Sequence, residues 1–425
     1  MTIHKGYREE EIEHPVEYPF ESCSEYPSSV FHAIEYRCEA VAITNKQAVG
    51  YGSCEAEQIT HQSLATRLAT SNHRQKPLRM VCVGPNFRVG GVHQHALALA
   101  KFLDPEKVKI TEFIVSDAGE VDACEPHLMP TPVRRFEQST LARLDRDCDI
   151  LLMWGDAFNG RLTCKNPLKV FVAHGETQWT RNSLMQSSQV VDHVIAVSES
   201  VLQKVCHGFH ATKILNGIDS SRLSQTDTRE NVRRRYAFGQ EDFVVGCVGR
   251  LTQEKQFDLL IRAVSTLPSN YKLLIVGSGR RYAEWLDLAN RLIPGRCAII
   301  SAHDNLGDYY QAMDAFGMVS AHEGFGLVLA EAMMAGRPVF STRVGVAPEV
   351  ICDRINGVFV EPNTCSIANL AKQIHTNRAW AQGMAAQGRI FAMNHFNAAQ
   401  MARRYEDLLC QLHDSRVASG SDRHK

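Results

Sequence analysis

The chain has no Cys-x-x-Cys pair: the two closest of its 13 cysteines, Cys352 and Cys365, stand thirteen positions apart. That spacing excludes a zinc ribbon and a thioredoxin-type redox pair. Scattered single cysteines read as small buried hydrophobes in a reducing compartment. Nor is there an excess of one charge. The 46 Lys and Arg against 47 Asp and Glu leave a formal net charge of −1, so no electrostatic footprint for nucleic acid or a strongly anionic membrane is present. No uncharged apolar run reaches the roughly eighteen residues of a membrane span. The opening Met-Thr-Ile-His-Lys-Gly also lacks the apolar core of a secretory signal. The expectation is a cytoplasmic protein with no nucleic-acid partner, peripheral membrane contact remaining open. What is there is 425 residues of ordinary globular composition, 44% hydrophobic and 22% charged, enough for two domains with full cores.

Residues 1–77 stand apart. Seven glutamates from Glu9 to Glu25 make the start acidic, and Pro15, Pro19 and Pro27 interrupt any long helix. We read this stretch as a poorly ordered extension with one short helix near 61–70. Alternating β-rich runs and helical stretches begin at Leu78, and Met80 within that first run is a candidate alternative start. Strands are expected at 79–84, 108–115, 149–153, 169–173 and 193–197, with a helix from Gly91 to Phe102 and little regular structure over 116–134. Residues 220–241, with Arg233, Arg234 and Arg235 together, read as a polar linker whose charges face solvent. The same grammar then restarts, with strands at 243–248, 272–276, 297–301, 315–319, 338–341 and 358–360. Helices fit 255–266, 280–293, 306–313, 326–335, 366–377 and 380–413. The fold class is therefore α/β: two Rossmann-like doubly wound domains, 78–219 and 242–394, facing across a cleft. A helix over 395–413 crosses back to the first domain, and a polar tail follows over 414–425.

Chemistry concentrates in Ala321-His-Glu-Gly-Phe-Gly-Leu-Val-Leu-Ala-Glu331, which follows a strand and opens a helix ending near Gly336. Gly324 and Gly326 let backbone approach a ligand, and the unpaired amides of the helix's first turn suit anionic or hydroxyl-rich groups. Glu323 then sits at the strand's mouth and Glu331 one and a half turns into the helix. Arg250 and Lys255 follow the strand 243–248, at the ligand edge of a sheet, where fixed cations stabilise developing negative charge. Exposed cations at a helix start and an acid favoured by the helix dipole are the structural alternatives. Gly90-Gly91 before a helix suits a phosphate loop and equally a plain turn. His174 ends a strand, while His93 and His95 follow the glycine pair. Val276-Gly-Ser-Gly279 has Tyr282 where a dinucleotide fingerprint needs glycine, which disfavours an NAD-dependent dehydrogenase. Asp145-Arg-Asp147 reads as a charged helix end. Trp154 and Trp179 flank strand ends and serve either core packing or sugar stacking.

Glu323-x7-Glu331 with Gly324-Phe325-Gly326, Gly249-Arg250-Leu251-x3-Lys255, Asn216-Gly-Ile-Asp219, Asp314, Pro348-Glu-Val350 and Asn356-Gly357 together resemble family 4 retaining glycosyltransferases of the GT-B fold. The resemblance is strong over 243–361, weaker over 78–218 and absent from 1–77. It implies a nucleotide-diphosphate-sugar donor, an unassigned hydroxyl acceptor (glycan, lipid or small molecule), and no cofactor or metal. It also implies the site residues. Arg250 and Lys255 meet the diphosphate, and Glu323 with the Gly324–Gly326 backbone meets the sugar. Glu331 meets the ribose, His174 the opposite side of the sugar, and Gly90 and Gly91 the loop closing over the phosphates. A sugar-nucleotide epimerase or phosphorylase of the same fold, or a non-catalytic nucleotide-sugar-binding protein, are the alternatives.

Overall fold

The computed structural model describes residues 76–421 apart from 88–89, 117–130, 156–157, 159–161 and 302–304. The expected helix near 61–70, and nearly all of the acidic extension, lie outside the described residues. Every described element belongs to one compact unit, His61–Lys425.

Strands that are buried on both faces need near-continuous apolar sequence, and the runs of Val, Ile, Leu and Phe supply it. The first sheet has seven strands: β1 (Leu78–Gly84), β2 (Val108–Val115), β3 (Val133–Arg135), β4 (Ile150–Met153), β5 (Leu168–Ala173), β6 (His193–Ala196) and β7 (Ala211–Lys213). Their spatial order is β3-β2-β1-β4-β5-β6-β7, with every pair parallel. The second sheet takes β8 (Phe243–Val248), β9 (Tyr271–Val276), β10 (Cys297–Ile300), β11 (Ala315–Met318), β12 (Val339–Ser341) and β13 (Val358–Phe359) in the order β10-β9-β8-β11-β12-β13. Both orders reverse direction once, between β1 and β4 and between β8 and β11. In sheets of this kind, ligands bind beyond the carboxyl ends of the strands at that reversal. The doubly wound architecture expected from the sequence is the one observed.

The helices are α1 (Gly91–Phe102), α2 (Gln138–Asp147), α3 (Gln178–Gln186), α4 (Glu199–Lys204), α5 (Arg229–Arg235), α6 (Phe257–Ser265), α7 (Tyr282–Leu292), α8 (Leu306–Ala312), α9 (Leu327–Met334), α10 (Ala347–Val350), α11 (Thr364–Thr376), α12 (Arg378–His395) and α13 (Ala398–Ser421). No helix among the described residues is long and apolar enough to cross a membrane.

Several local expectations change. β3 stands where no regular structure is expected, at the edge of its sheet beside β2. β1 begins at Leu78, two residues before Met80, so a start at Met80 would cut the strand. The stretch over 220–241 contains α5, and Arg233 is fully buried rather than solvated. Its guanidinium ion-pairs with Asp314, and it donates to the carbonyls of Ala312 at 3.0 Å and Asp242 at 3.0 Å. The helix expected over 380–413 breaks at Phe396-Asn397, because the chain there returns to the crossing between the sheets. Ile218 N donates to Phe396 O at 2.7 Å, and the Asn397 side chain caps the amides of Ala399 and Gln400. Beyond it α13 packs on α1 and β5 and continues through Ser421, well past the expected end at 413. Arg416 holds that last stretch down through Asp192 and the carbonyls of Lys165 and Pro167.

Candidate active site

β8 and β11 flank the reversal in the second sheet, and the segments leaving them carry the expected residues. After β8 the backbone runs through Gly249 and Arg250 into a short 3-10 turn at Gln253–Lys255. A Cβ on Gly277, after neighbouring β9, would lie 1.8 Å from the Gly249 carbonyl oxygen. Glycine there is therefore a requirement of two loops packed backbone to backbone, which explains the Gly-Ser-Gly stretch without a dinucleotide. After β11 the chain passes Ser320 and Glu323 to Gly326, whose φ of 91° and Cβ-free backbone turn the loop into α9. α9 is apolar but for Glu331 and packs on α12. It closes with Gly336 in the left-handed region, the Arg337 amide donating to Ala332 O at 3.0 Å.

These loops bring Lys255 and Glu323 together. The ammonium donates to Glu323 Oε1 at 2.5 Å, both side chains being largely buried, and Ser320 Oγ donates to the same oxygen at 2.7 Å. The Ala321 amide donates to Glu254 O at 2.8 Å, tying the two loops together. Arg250 is different: its side chain is 68% exposed, with Glu254 3.7 Å away. It is free to swing toward an anion. Phe325 is buried, and its carbonyl accepts from the Val346 amide at 2.8 Å.

Glu331 is buried with both oxygens engaged. Arg222 donates to Oε1 at 3.0 Å and Tyr310 to Oε2 at 2.9 Å. A carboxylate offers about four lone-pair sites, so a hydroxyl can still be accepted alongside Arg222. Neither partner had a signal in the sequence, since Arg222 lies 109 residues away and in a stretch read as linker.

The first sheet contributes from its own carboxyl edge. A Cβ on Gly324 would lie 1.8 Å from His174 O and 2.9 Å from Gly175 Cα. Strand β5 therefore ends directly against the Glu323 loop. Gly91, which opens α1, lies against Leu327 at the start of α9, its notional Cβ 3.4 Å from Leu327 Cδ1. Gly90 is extended with φ 162° and accepts from the Gln94 amide at 2.9 Å. The two halves are held together where Ser198, Glu199 and Lys213, which the motifs did not single out, meet Gly324 and Glu349, which they did. Ser198 Oγ donates to Gly324 O at 2.8 Å, the Glu199 amide to Glu349 Oε1 at 2.5 Å, and Lys213 to Glu349 Oε2 at 3.0 Å.

His174 is half-buried, with Nε2 enclosed and unpartnered, and burial together with the neighbouring His95 holds its pKa well below the usual histidine range. The ring is therefore neutral at pH 7. His95 stacks edge-on to it at 4.7 Å between centroids, and His93 packs on Phe87 at 4.6 Å. Asp145 and Asp147 close α2, Asp145 accepting from the amides of Lys165 and Asn166 at 2.7 and 2.9 Å. Trp154 is core, whereas Trp179 is 60% exposed beside Gly155. Among the described residues no cluster of His, Cys, Asp and Glu is arranged to hold a metal ion.

Residues 228–388 match the family model for glycosyl transferases group 1. The chain carries a glycosyl transferases group 1 domain. That domain begins at α5 and contains the whole second sheet with the Lys255 and Glu323 loops. A relative in Methanocaldococcus jannaschii, an uncharacterised glycosyltransferase, is 35% identical over 191 residues, 41% of this chain and 48% of its own length. The chain thus spans about half of that relative. A GDP-mannose-dependent α-(1-6)-phosphatidylinositol monomannoside mannosyltransferase of Mycolicibacterium smegmatis is 28% identical over 328 residues, 68% of this chain and 85% of its own. The crystal structure of Anabaena HepE in complex with UDP and glucose superimposes with a TM-score of 0.68 at 18% identity. That match covers 79% of this chain and 100% of HepE. The two-sheet architecture is thus of the GT-B type.

Proposed function

We propose that the protein transfers a glycosyl group from a nucleoside-diphosphate sugar to a hydroxyl acceptor, with retention at the anomeric carbon and without a metal ion. The observation that carries this reading is the meeting of Lys255, Glu323 and the α9 N-terminus from one sheet with His174 and Gly91 from the other. Both sets stand at carboxyl strand edges, and the family match covers the half that carries the cations.

In the proposed reaction the bond between the anomeric carbon and the diphosphate oxygen breaks while the acceptor oxygen bonds to the same face. The acceptor hydroxyl's proton passes to an oxygen of the departing diphosphate. Lys255 and Arg250 offset the negative charge that grows there, the task a divalent cation performs in other transferases. Glu323 and the Gly324–Gly326 backbone hold the sugar hydroxyls, neutral His174 faces the sugar from the opposite side, and Glu331 accepts from the ribose. Closure of the two halves limits water and so limits donor hydrolysis. The GDP-mannose named for the mannosyltransferase, and the UDP and glucose bound in the HepE structure, make GDP- and UDP-sugars the first candidates.

The test is a thermal-shift series with UDP, GDP and ADP and their sugar conjugates, on wild type and on Arg250→Ala/Lys255→Ala. A ligand at a hundred times its Kd stabilises the folded state by about 2.7 kcal/mol. One nucleotide should shift the wild type and not the double variant, and EDTA should leave that shift intact. No shift with any nucleotide, from a folded protein, would overturn the reading.

A further inference from the structure

Behind His174 lies a set of polar atoms that the site as described does not use. Among the described residues seven enclosed side-chain nitrogen or oxygen atoms have no hydrogen-bond partner, and five of them belong to one cluster: His95 Nδ1 and Nε2, His174 Nε2, Asn216 Oδ1 and Tyr405 Oη. An unpaired buried polar atom costs about 1–3 kcal/mol, so five in one place need a reason. His95, Asn216 and Tyr405 are all but fully buried. The His95 ring meets Tyr405 edge-on at 5.3 Å between centroids and His174 at 4.7 Å. Asn216 lies close enough to favour the charged form of His95 slightly, though outside good hydrogen-bond geometry.

The members come from four separate pieces of chain: α1, the end of β5, the crossing between the sheets, and α13. The helix that supplies Tyr405 also pins the crossing, where the Gly217 amide donates to Met401 Sδ at 3.0 Å and a Cβ on Gly217 would lie 2.4 Å from Ala398 Cα. On the other side, the His174 carbonyl abuts Gly324 of the donor loop. Donors and acceptors in the cluster are balanced. Asn216 Oδ1 accepts, Tyr405 Oη does either, and each neutral imidazole offers one of each.

We propose that His95, Asn216 and Tyr405 are positioning residues that fix the tautomer and ring pose of His174 toward the donor sugar. This rests on the donor-site reading above. Engagement of His174 by the sugar on its cleft side would draw the ring into register with the polar atoms behind it, and their hydrogen bonds would form together. The cluster then contributes to recognition of the sugar but not of the nucleotide, which meets the other half of the protein.

The test compares dissociation constants for UDP with UDP-glucose, and for GDP with GDP-mannose, in wild type, Tyr405→Phe, His95→Leu and His95→Gln, each checked for its folded far-UV spectrum and Tm. Tyr405→Phe removes one oxygen and keeps the ring, so it holds the packing. The expected result is about a tenfold loss of sugar-nucleotide affinity in Tyr405→Phe and His95→Leu, the equivalent of one neutral hydrogen bond. Bare-nucleotide affinity should stay unchanged, and His95→Gln should recover part of the loss. Equal losses for nucleotide and sugar nucleotide, or no loss at all, would overturn the positioning role while leaving the donor site standing. A wild type that binds none of the four probes would overturn both.

Discussion

Lys255 and Glu323 lie 68 residues apart in the chain and 2.5 Å apart in the fold, and their chemistry depends on that meeting. With little water around either side chain, removing one partner strands the other. Lys255→Met is expected to destabilise the protein by about 1–3 kcal/mol in urea unfolding. Glu323→Gln should cost less, because Ser320 Oγ can still donate to the amide oxygen. The double variant should be more stable than the sum of the singles predicts, since neither charge is then left alone. Simple additivity would mean the ion pair contributes nothing. Arg250, exposed, should leave stability unchanged on substitution and reveal itself only in donor binding. The types of these residues and their order were readable in the sequence. That Glu331 is already held by Arg222 and Tyr310 was not, since Arg222 lies 109 residues away and Tyr310 comes from a different helix.

Elements meet here through glycines. Gly324 allows the β5 terminus to lie against the Glu323 loop at a separation no Cβ would permit. Gly324→Ala is therefore expected to wedge the two sheets apart without unfolding either. Because a displacement of about 1 Å from the reactive geometry can cost on the order of a hundredfold in rate, transfer should fall by that factor. Nucleotide binding to the second sheet should persist, with the scattering radius of gyration slightly larger. Wild-type activity in this variant would show that the contact is incidental. β3 and α5 escaped the sequence pattern for different reasons: β3 is a three-residue edge strand whose position only the neighbouring strand decides, and α5 lies in a stretch whose clustered charges mask its buried side. Arg233 is the sharpest case. Three consecutive arginines look like a solvated face, but Asp314 and a ring of carbonyls made one of them the buried anchor of α5.

At the scale of the whole molecule, burial of imidazoles ties stability to pH. Burial pulls the His95 pKa to about 4 from 6.5, and His174 shifts the same way. Between those values the unfolded chain binds a proton that the folded chain refuses, so stability falls as pH drops from about 6.5 to about 4 and, for this group, levels off below. His95 alone contributes up to about 3 kcal/mol of that slope. Urea midpoints at pH 7, 6 and 5 should fall in sequence, and His95→Gln should flatten the trend. A constant midpoint would contradict the enclosure of these rings. Below about pH 4 the carboxylates Asp149 and Asp219 extend the loss. Their ionised forms are held by Arg79 and by Lys101 with Ser221, which outweighs the cost of their burial.

The sequence by itself determined the two doubly wound sheets, because strands buried on both faces must be continuously apolar and the helices between them must carry a one-sided stripe. It also determined where each sheet's ligand edge lies, because glycines and charged residues cluster just after β1, β5, β8 and β11. Only the tertiary structure decided which of those charges meet, that β5 ends against Gly324, and that Tyr405 from the far end of the chain packs on His95, which in turn meets His174. Those are contacts between segments 68 or more residues apart. Their partners are chosen by packing, which leaves no local period for a sequence to display.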